Sequence, residues 1–111
     1  MKSLTILTSA LAGLLLTGCT MTLPVQGVVD KTGESFTGTA TGYMDGAGDL
    51  HIAFASGRTC AGEFVYVTTR QGEGTFQCSD GATGPFSFVS TGRRGTGHGT
   101  LKGETFTFTF G

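Results

Sequence analysis

Residues 59–79 read TCAGEFVYVTTRQGEGTFQCS, and this stretch decides the fold. On either side of a polar centre, apolar or bare positions fall on every second residue: Cys60, Gly62, Phe64 and Tyr66, then Gly74, Phe76 and Cys78. A period of two belongs to a half-buried strand, so the stretch predicts strands near 59–67 and 73–79 around a turn centred near Thr69. In antiparallel register Cys60 falls opposite Cys78, Gly62 opposite Phe76 and Phe64 opposite Gly74, all on one face. Directly opposed residues are close enough for a disulfide, so Cys60 and Cys78 are expected to be bonded. The same register explains the G-x-G. An aromatic ring on one strand covers the bare backbone of the next.

The pattern extends outward from there. Leu50, Ile52 and Phe54 alternate with His51 and Ala53; Phe86 and Phe88 flank Ser87; Phe106, Phe108 and Phe110 alternate with Thr105, Thr107 and Thr109. Gly46-Ala47-Gly48, Gly72-Glu73-Gly74 and Gly97-His98-Gly99 are each followed two residues later by Leu50, Phe76 or Leu101. Gly38, Gly62 and Gly84 open strands, while Gly57, Gly81 and Gly103 close units of roughly 22–26 residues. Strands are expected near 35–43, 48–55, 59–67, 73–79, 83–90, 97–102 and 104–110. Short turns make them antiparallel neighbours. The chain therefore reads as all-β: a single antiparallel meander of about seven strands, strongly curled or partly closed into a barrel, with three G-x-G hairpin repeats. Curling would bury Phe64, Phe76, Phe86, Phe88, Phe106 and Phe108 and leave Thr37, Thr39, Thr41, Thr105, Thr107 and Thr109 outside. The spacing of these hairpins over residues 35–111 resembles MORN-type repeats, although their Tyr-x-Gly-x-Trp core is missing. That resemblance implies an architecture and no binding residues. The Phe-x-Phe-x-Phe-Gly ending is similar to that of small bacterial secreted and lipoprotein domains, which implies no particular activity.

The other informative stretch is LLLTGCTM, residues 14–21. Lys2 gives a positive start, Leu4 to Leu16 is largely apolar, and Leu16-Thr17-Gly18-Cys19 follows. A secretory signal has this form, and its apolar run is too short to span a bilayer as a helix. The stretch closely resembles a bacterial lipoprotein signal, whose lipobox ends in an obligatory cysteine. The resemblance implies cleavage before Cys19, diacylation of its sulfur and acylation of its new amine by palmitate-like chains. Each buried lipid methylene contributes ~0.8 kcal/mol, so several chains make a lasting anchor. Thr20 rather than Asp follows the cysteine, which by the same analogy with Gram-negative lipoproteins implies the outer membrane. The domain would face the periplasm, with surface exposure as the other orientation. The chain is thus divided into a signal peptide over 1–18, a lipidated tether over 19–34 with one strand at Val25–Val29, and a β-meander domain over 35–111.

The mature chain holds six basic and eight acidic residues, a formal charge of about −2, with no basic stripe. Nucleic acid is not an expected partner. Cys60 and Cys78 form an even pair in an oxidising compartment, and no Cys/His grouping has metal-ligand spacing. Asp45, Asp49 and Asp80 fit turn chemistry. His51 is expected outward on a strand and His98 inside a glycine-flanked turn, with no oriented base or nucleophile beside either. No catalytic residue, metal or cofactor is expected. Arg93-Arg94 is expected on the longest hairpin loop, and with His98 it forms the candidate partner-binding loop. The expected function is that of a membrane-anchored, monomeric envelope lipoprotein. It would act as a non-catalytic structural or protein-binding module with an envelope protein as its candidate partner. Ser56-Gly57 and Lys102-Gly103 resemble short motifs of lipid-anchored β domains that block lysozymes, though the surrounding aromatic positions differ. A periplasmic inhibitor of a hydrolase such as lysozyme is therefore the alternative, and a small hydrolase ranks below it.

Overall fold

Each alternating segment of the sequence forms a strand, and the strands join in chain order. The computed structural model describes residues 20–43 and 45–111; the signal peptide and Cys19 lie outside the described residues. The elements are β1 (Thr20–Val29), β2 (Ser35–Tyr43), β3 (Ala47–Phe54), β4 (Thr59–Tyr66), β5 (Gln71–Cys78), β6 (Thr83–Thr91), β7 (Arg94–Leu101) and β8 (Glu104–Phe110). Each pairs antiparallel with the next, and β8 pairs with β1, so the sheet closes into an eight-stranded barrel. The all-β antiparallel meander stands. The strand number is eight rather than about seven, and closure is complete rather than partial.

The extra strand comes from the segment expected to be a tether. β1 runs back from Val29 to Thr20 and pairs with β2 from Thr20 to Val28, but with β8 only from Val25 to Val29. Its first half hides from a periodicity reading because Pro24 interrupts it. Proline lacks the N–H that a ladder needs. Pro24 stands just outside the β1–β8 pairing, where its carbonyl is the group in use, accepting from the Gly111 N–H at 3.0 Å. Closure also removes the two open edges that β2 and β8 would otherwise present.

The hairpin 59–79 has the register its sequence predicts: Cys60 opposes Cys78, Gly62 opposes Phe76, and Phe64 opposes Gly74. A disulfide joins Cys60 and Cys78 across β4 and β5, with 3.9 Å between their Cα atoms. Inward-facing residues carry even numbers in β2 to β6 and in β8. In β7 they are odd: Gly97 and Leu101 are buried, and His98 points outward. Two-residue turns cause the switch, since each shifts the pairing by an odd step. Gly92-Arg93 joins β6 to β7 with positive φ at Gly92, and Lys102-Gly103 joins β7 to β8 with positive φ at both residues, a type I′ hairpin. Three glycines of β7 pack against the three phenylalanines of β8. A Cβ at Gly97 would overlap the Phe108 ring and the Ser87 carbonyl, so a side chain there forces its neighbours to shift.

The interior is filled by rings. At one end, here the base, Phe36 lies against Phe54 (centroids 4.9 Å) and Phe106 (5.9 Å), and Phe76 against Phe86 (4.4 Å) and Phe106 (5.8 Å). At the other end, the mouth, Phe88 meets Phe64 (5.0 Å), Tyr66 (5.4 Å) and Phe110 (5.4 Å) edge-on. Edge-to-face aromatic pairs add about 0.5–1.5 kcal/mol each beyond their buried area. All six phenylalanines expected inside are buried, and the threonines of β2 and β8 line the outer wall. A membrane-spanning barrel carries an apolar belt outside and polar groups inside, and this wall is the reverse.

Candidate functional site

Because the interior is occupied, chemistry at this protein belongs to its two ends and its outer wall. The antiparallel meander places every second turn at the same end. The base carries the β1–β2, β3–β4, β5–β6 and β7–β8 turns, and the mouth carries the others together with Thr20 and Gly111.

The base is built on Asp80. Its carboxylate accepts from the Ala82 N–H (3.0 Å), Lys102 Nζ (3.2 Å) and Arg58 Nη1 (3.3 Å). The Ala82 N–H above all holds the Asp80 carboxyl below its usual value near 3.8; desolvation opposes it, and Lys102 and then Arg58 add to the lowering. Gly81 supplies the positive φ that turns the chain back under Asp80. Arg58 also stacks over the Phe54 ring at 4.2 Å, tying the surface cation to the ring cluster below. The three charged residues come from three different turns, each 22 residues from the next. The Ser56-Gly57 and Lys102-Gly103 turns sit at this same end.

The mouth differs in kind. Met21, Leu23, Ala40, Phe64, Tyr66 and Phe110 are among the residues lining a small apolar cup of about 60 Å³. Its polar features are few. The Tyr66 hydroxyl donates to Ser90 Oγ (3.2 Å), and the Ser90 N–H and hydroxyl both reach the Arg70 carbonyl (2.7 and 3.3 Å). On the rim the Tyr43 hydroxyl donates to the Asp49 carboxylate. That bond, with desolvation and the charges of Asp49, Asp45 and Glu63, raises the Tyr43 pKa above its usual 10.0.

The candidate binding loop is not one loop. Arg93 lies in the two-residue β6–β7 turn, which is among the shortest turns of the barrel, and Arg94 opens β7. His98 lies four residues along β7, outward on the wall, with its Nε2 3.4 Å from Ser87 Oγ. The expected turn at His98 and long loop at Arg93-Arg94 are corrected. The G-x-G around His98 is strand backbone facing Phe108 and Phe106, and the chain reverses at Gly92 instead. His51 is outward on β3, between Thr39 and Ala61. The Asp80 cluster escaped the sequence reading because its cations are distant in sequence. Its signal is the 22-residue period combined with the rule that alternate turns share an end.

No family model matches the chain, and no curated protein matches it. Among solved structures it is similar to a redesigned β-barrel, mFAP1, bound to DFHBI, with a TM-score of 0.67 and 14% identity over 80% of this chain and 90% of that one. It is also similar to a de novo designed fluorescence-activating β-barrel, with a TM-score of 0.61 and 14% identity over 80% of this chain and 88% of that one. These similarities place the eight-stranded antiparallel fold of this chain among small β-barrels. At this identity they speak to the fold alone.

Proposed function

We propose that this protein is a lipid-anchored barrel of the Gram-negative envelope, held at the outer membrane through Cys19 and facing the periplasm as a monomer. It works without catalysis or a cofactor, as a structural or protein-binding module. The observation that carries this reading is one of continuity. The lipobox residues Leu16-Thr17-Gly18-Cys19 lead straight into β1, so the anchor would join the barrel with no tether between. The ring-filled interior supports it, since it leaves activity to the surface. We read the three G-x-G hairpins as copies of one unit, a reading supported by the 22-residue spacing of Arg58, Asp80 and Lys102. Labelled palmitate fed to Gram-negative cells expressing the chain is expected to enter the wild-type protein and not Cys19→Ser. Equal labelling of both, or of neither, contradicts the anchor. Cross-linking in intact cells then separates a single stoichiometric partner from passive neighbours.

A second reading, an inhibitor of a hydrolase such as lysozyme, is favoured by the base. The two turns that resemble inhibitor motifs share that end, opposite Thr20, and carry Arg58 and Lys102. Inhibition of a lysozyme that is lost in Lys102→Ala, with folding intact, supports this reading. No inhibition at micromolar protein rejects it.

A further inference from the structure

We infer that the mouth of the barrel is a membrane-docking face, so that the protein stands mouth-down on a phospholipid surface with its base projecting outward. This deepens the anchor reading and rests on it. The first observation is the distribution of exposed apolar side chains. Met21, Tyr43, Val65, Tyr66, Val67 and Val89, between 37% (Tyr66) and 55% (Val65) exposed, are the large exposed hydrophobics among the described residues. Met21 is the second residue of β1 and Tyr43 and Tyr66 are the last of β2 and β4. Val65, Val67 and Val89 lie within two residues of mouth-side strand ends. None stands at the base. Both tyrosines of the chain are in the set, and an amphipathic ring with a polar tip favours the boundary between headgroups and acyl chains.

Charge follows the same division. Arg70, Arg93 and Arg94, three of the four arginines, belong to the mouth turns or the first residue after them. The acid in those turns is Asp45, whose Oδ1 is already held by the Ala47 N–H at 3.1 Å. The base turns balance Lys31, Arg58 and Lys102 with Asp30, Glu34 and Asp80, and Glu104 opens β8 beside them. The mouth turns themselves therefore carry net positive charge, on the β4–β5 and β6–β7 side, while Asp45, Asp49 and Glu63 surround Tyr43 on the opposite side of the rim. An apolar rim with three arginines along one side suits phospholipid headgroups, because arginine binds phosphate and the rim enters the acyl boundary.

The third observation selects lipid over other occupants. Cys19 is the residue next to Thr20 in the sequence, and Thr20 opens β1. Thr20 is at the mouth. An acylated Cys19 therefore brings this end of the barrel against the bilayer, and this is the end whose apolar groups lack cover.

The chain has no tryptophan, so one introduced indole reports alone. Val67→Trp places it on the mouth rim and Ser56→Trp in a base turn. Each acylated mature protein is reconstituted in phosphatidylethanolamine–phosphatidylglycerol vesicles carrying bromine on the acyl chains. With the rim some ~5–10 Å into the headgroup boundary, quenching is expected to be about threefold stronger for Val67→Trp than for Ser56→Trp. Arg93→Glu with Arg94→Glu should roughly halve the Val67→Trp quenching while the anchor keeps the protein on floating vesicles. Acylated, floating protein with equal quenching at both sites overturns the docking and leaves the anchor standing. Equal quenching together with a dimer in detergent assigns the mouth to a second copy and overturns it as well. A mature chain without acyl mass overturns the anchor and the docking together.

Discussion

The base and the mouth of this barrel are made from the same eight strands and solve opposite problems. At the base, Phe36, Phe54, Phe76 and Phe106 pack on one another, Leu101 and Ala82 close the floor, and the Cys60–Cys78 disulfide staples two strands. Charged turns then cover the rings, with Asp80 binding Arg58 and Lys102. At the mouth the rings are as well packed but the cover is missing, and Val65, Val67, Val89 and Met21 stand in solvent. One small barrel thus has a covered end and an end with exposed apolar side chains. The wall between them is lined largely by threonine, whose hydroxyls keep it wet.

If this division is right, substitutions of the buried base rings act on folding and those of the exposed mouth rim do not. Phe106→Ala, at a side chain 1% exposed, should lower stability by about 3–5 kcal/mol in urea unfolding, whereas Val67→Ser should stay within about 0.5 kcal/mol. Comparable losses at both positions would break the comparison. Opening the disulfide with reductant, or by Cys78→Ser with Cys60→Ser, should remove about 3 kcal/mol, since the crosslink closes a loop of 18 residues' separation. An unchanged midpoint would mean that the rings alone hold the base.

Smaller effects sharpen the picture. Gly97→Ala should cost about 1–3 kcal/mol, because a Cβ there meets both the Phe108 ring and the Ser87 carbonyl, and Phe108→Leu in the same chain should relieve only the part owed to the ring. The pH dependence has a definite sign. The folded-state pKa of Asp80 lies below its usual value near 3.8, so its contribution is complete above that value and is lost as pH falls through the lower folded value. The urea midpoint of the wild type should therefore drop more steeply in acid than that of Asp80→Asn. Tyr43 runs the other way: its pKa is raised above 10.0, so its contribution is complete below that value and is lost as pH rises through the folded value. Asp49→Asn should bring the phenolate absorbance of Tyr43 to lower pH, with little change in unfolding.

Much of this was legible from residue order. The hairpin 59–79 could be registered to the residue because two cysteines and two glycine–phenylalanine pairs agree on one alignment. The inward phenylalanines followed from a period of two. β1 was legible only in its second half, because Pro24 breaks the alternation at a point where the closed barrel needs only its carbonyl. The placement of His98 failed for a related reason. A glycine-flanked histidine reads as a turn, and only the packing of Gly97 and Gly99 against Phe108 and Phe106 makes it strand. The Asp80 cluster is tertiary, and the mouth rim becomes visible once closure shows which strand ends lie together.

The division between the two ends is measured most directly by amide-by-amide NMR of the acylated protein in phospholipid nanodiscs, with a nitroxide placed on the lipid headgroups. Broadening is expected to be confined to the mouth turns, around Val67–Arg70 and Gly92–Arg94, with sharp signals from the base turns around Ser56, Gly81 and Gly103. Broadening at the base, or none at either end in protein that carries its acyl chains, would contradict it.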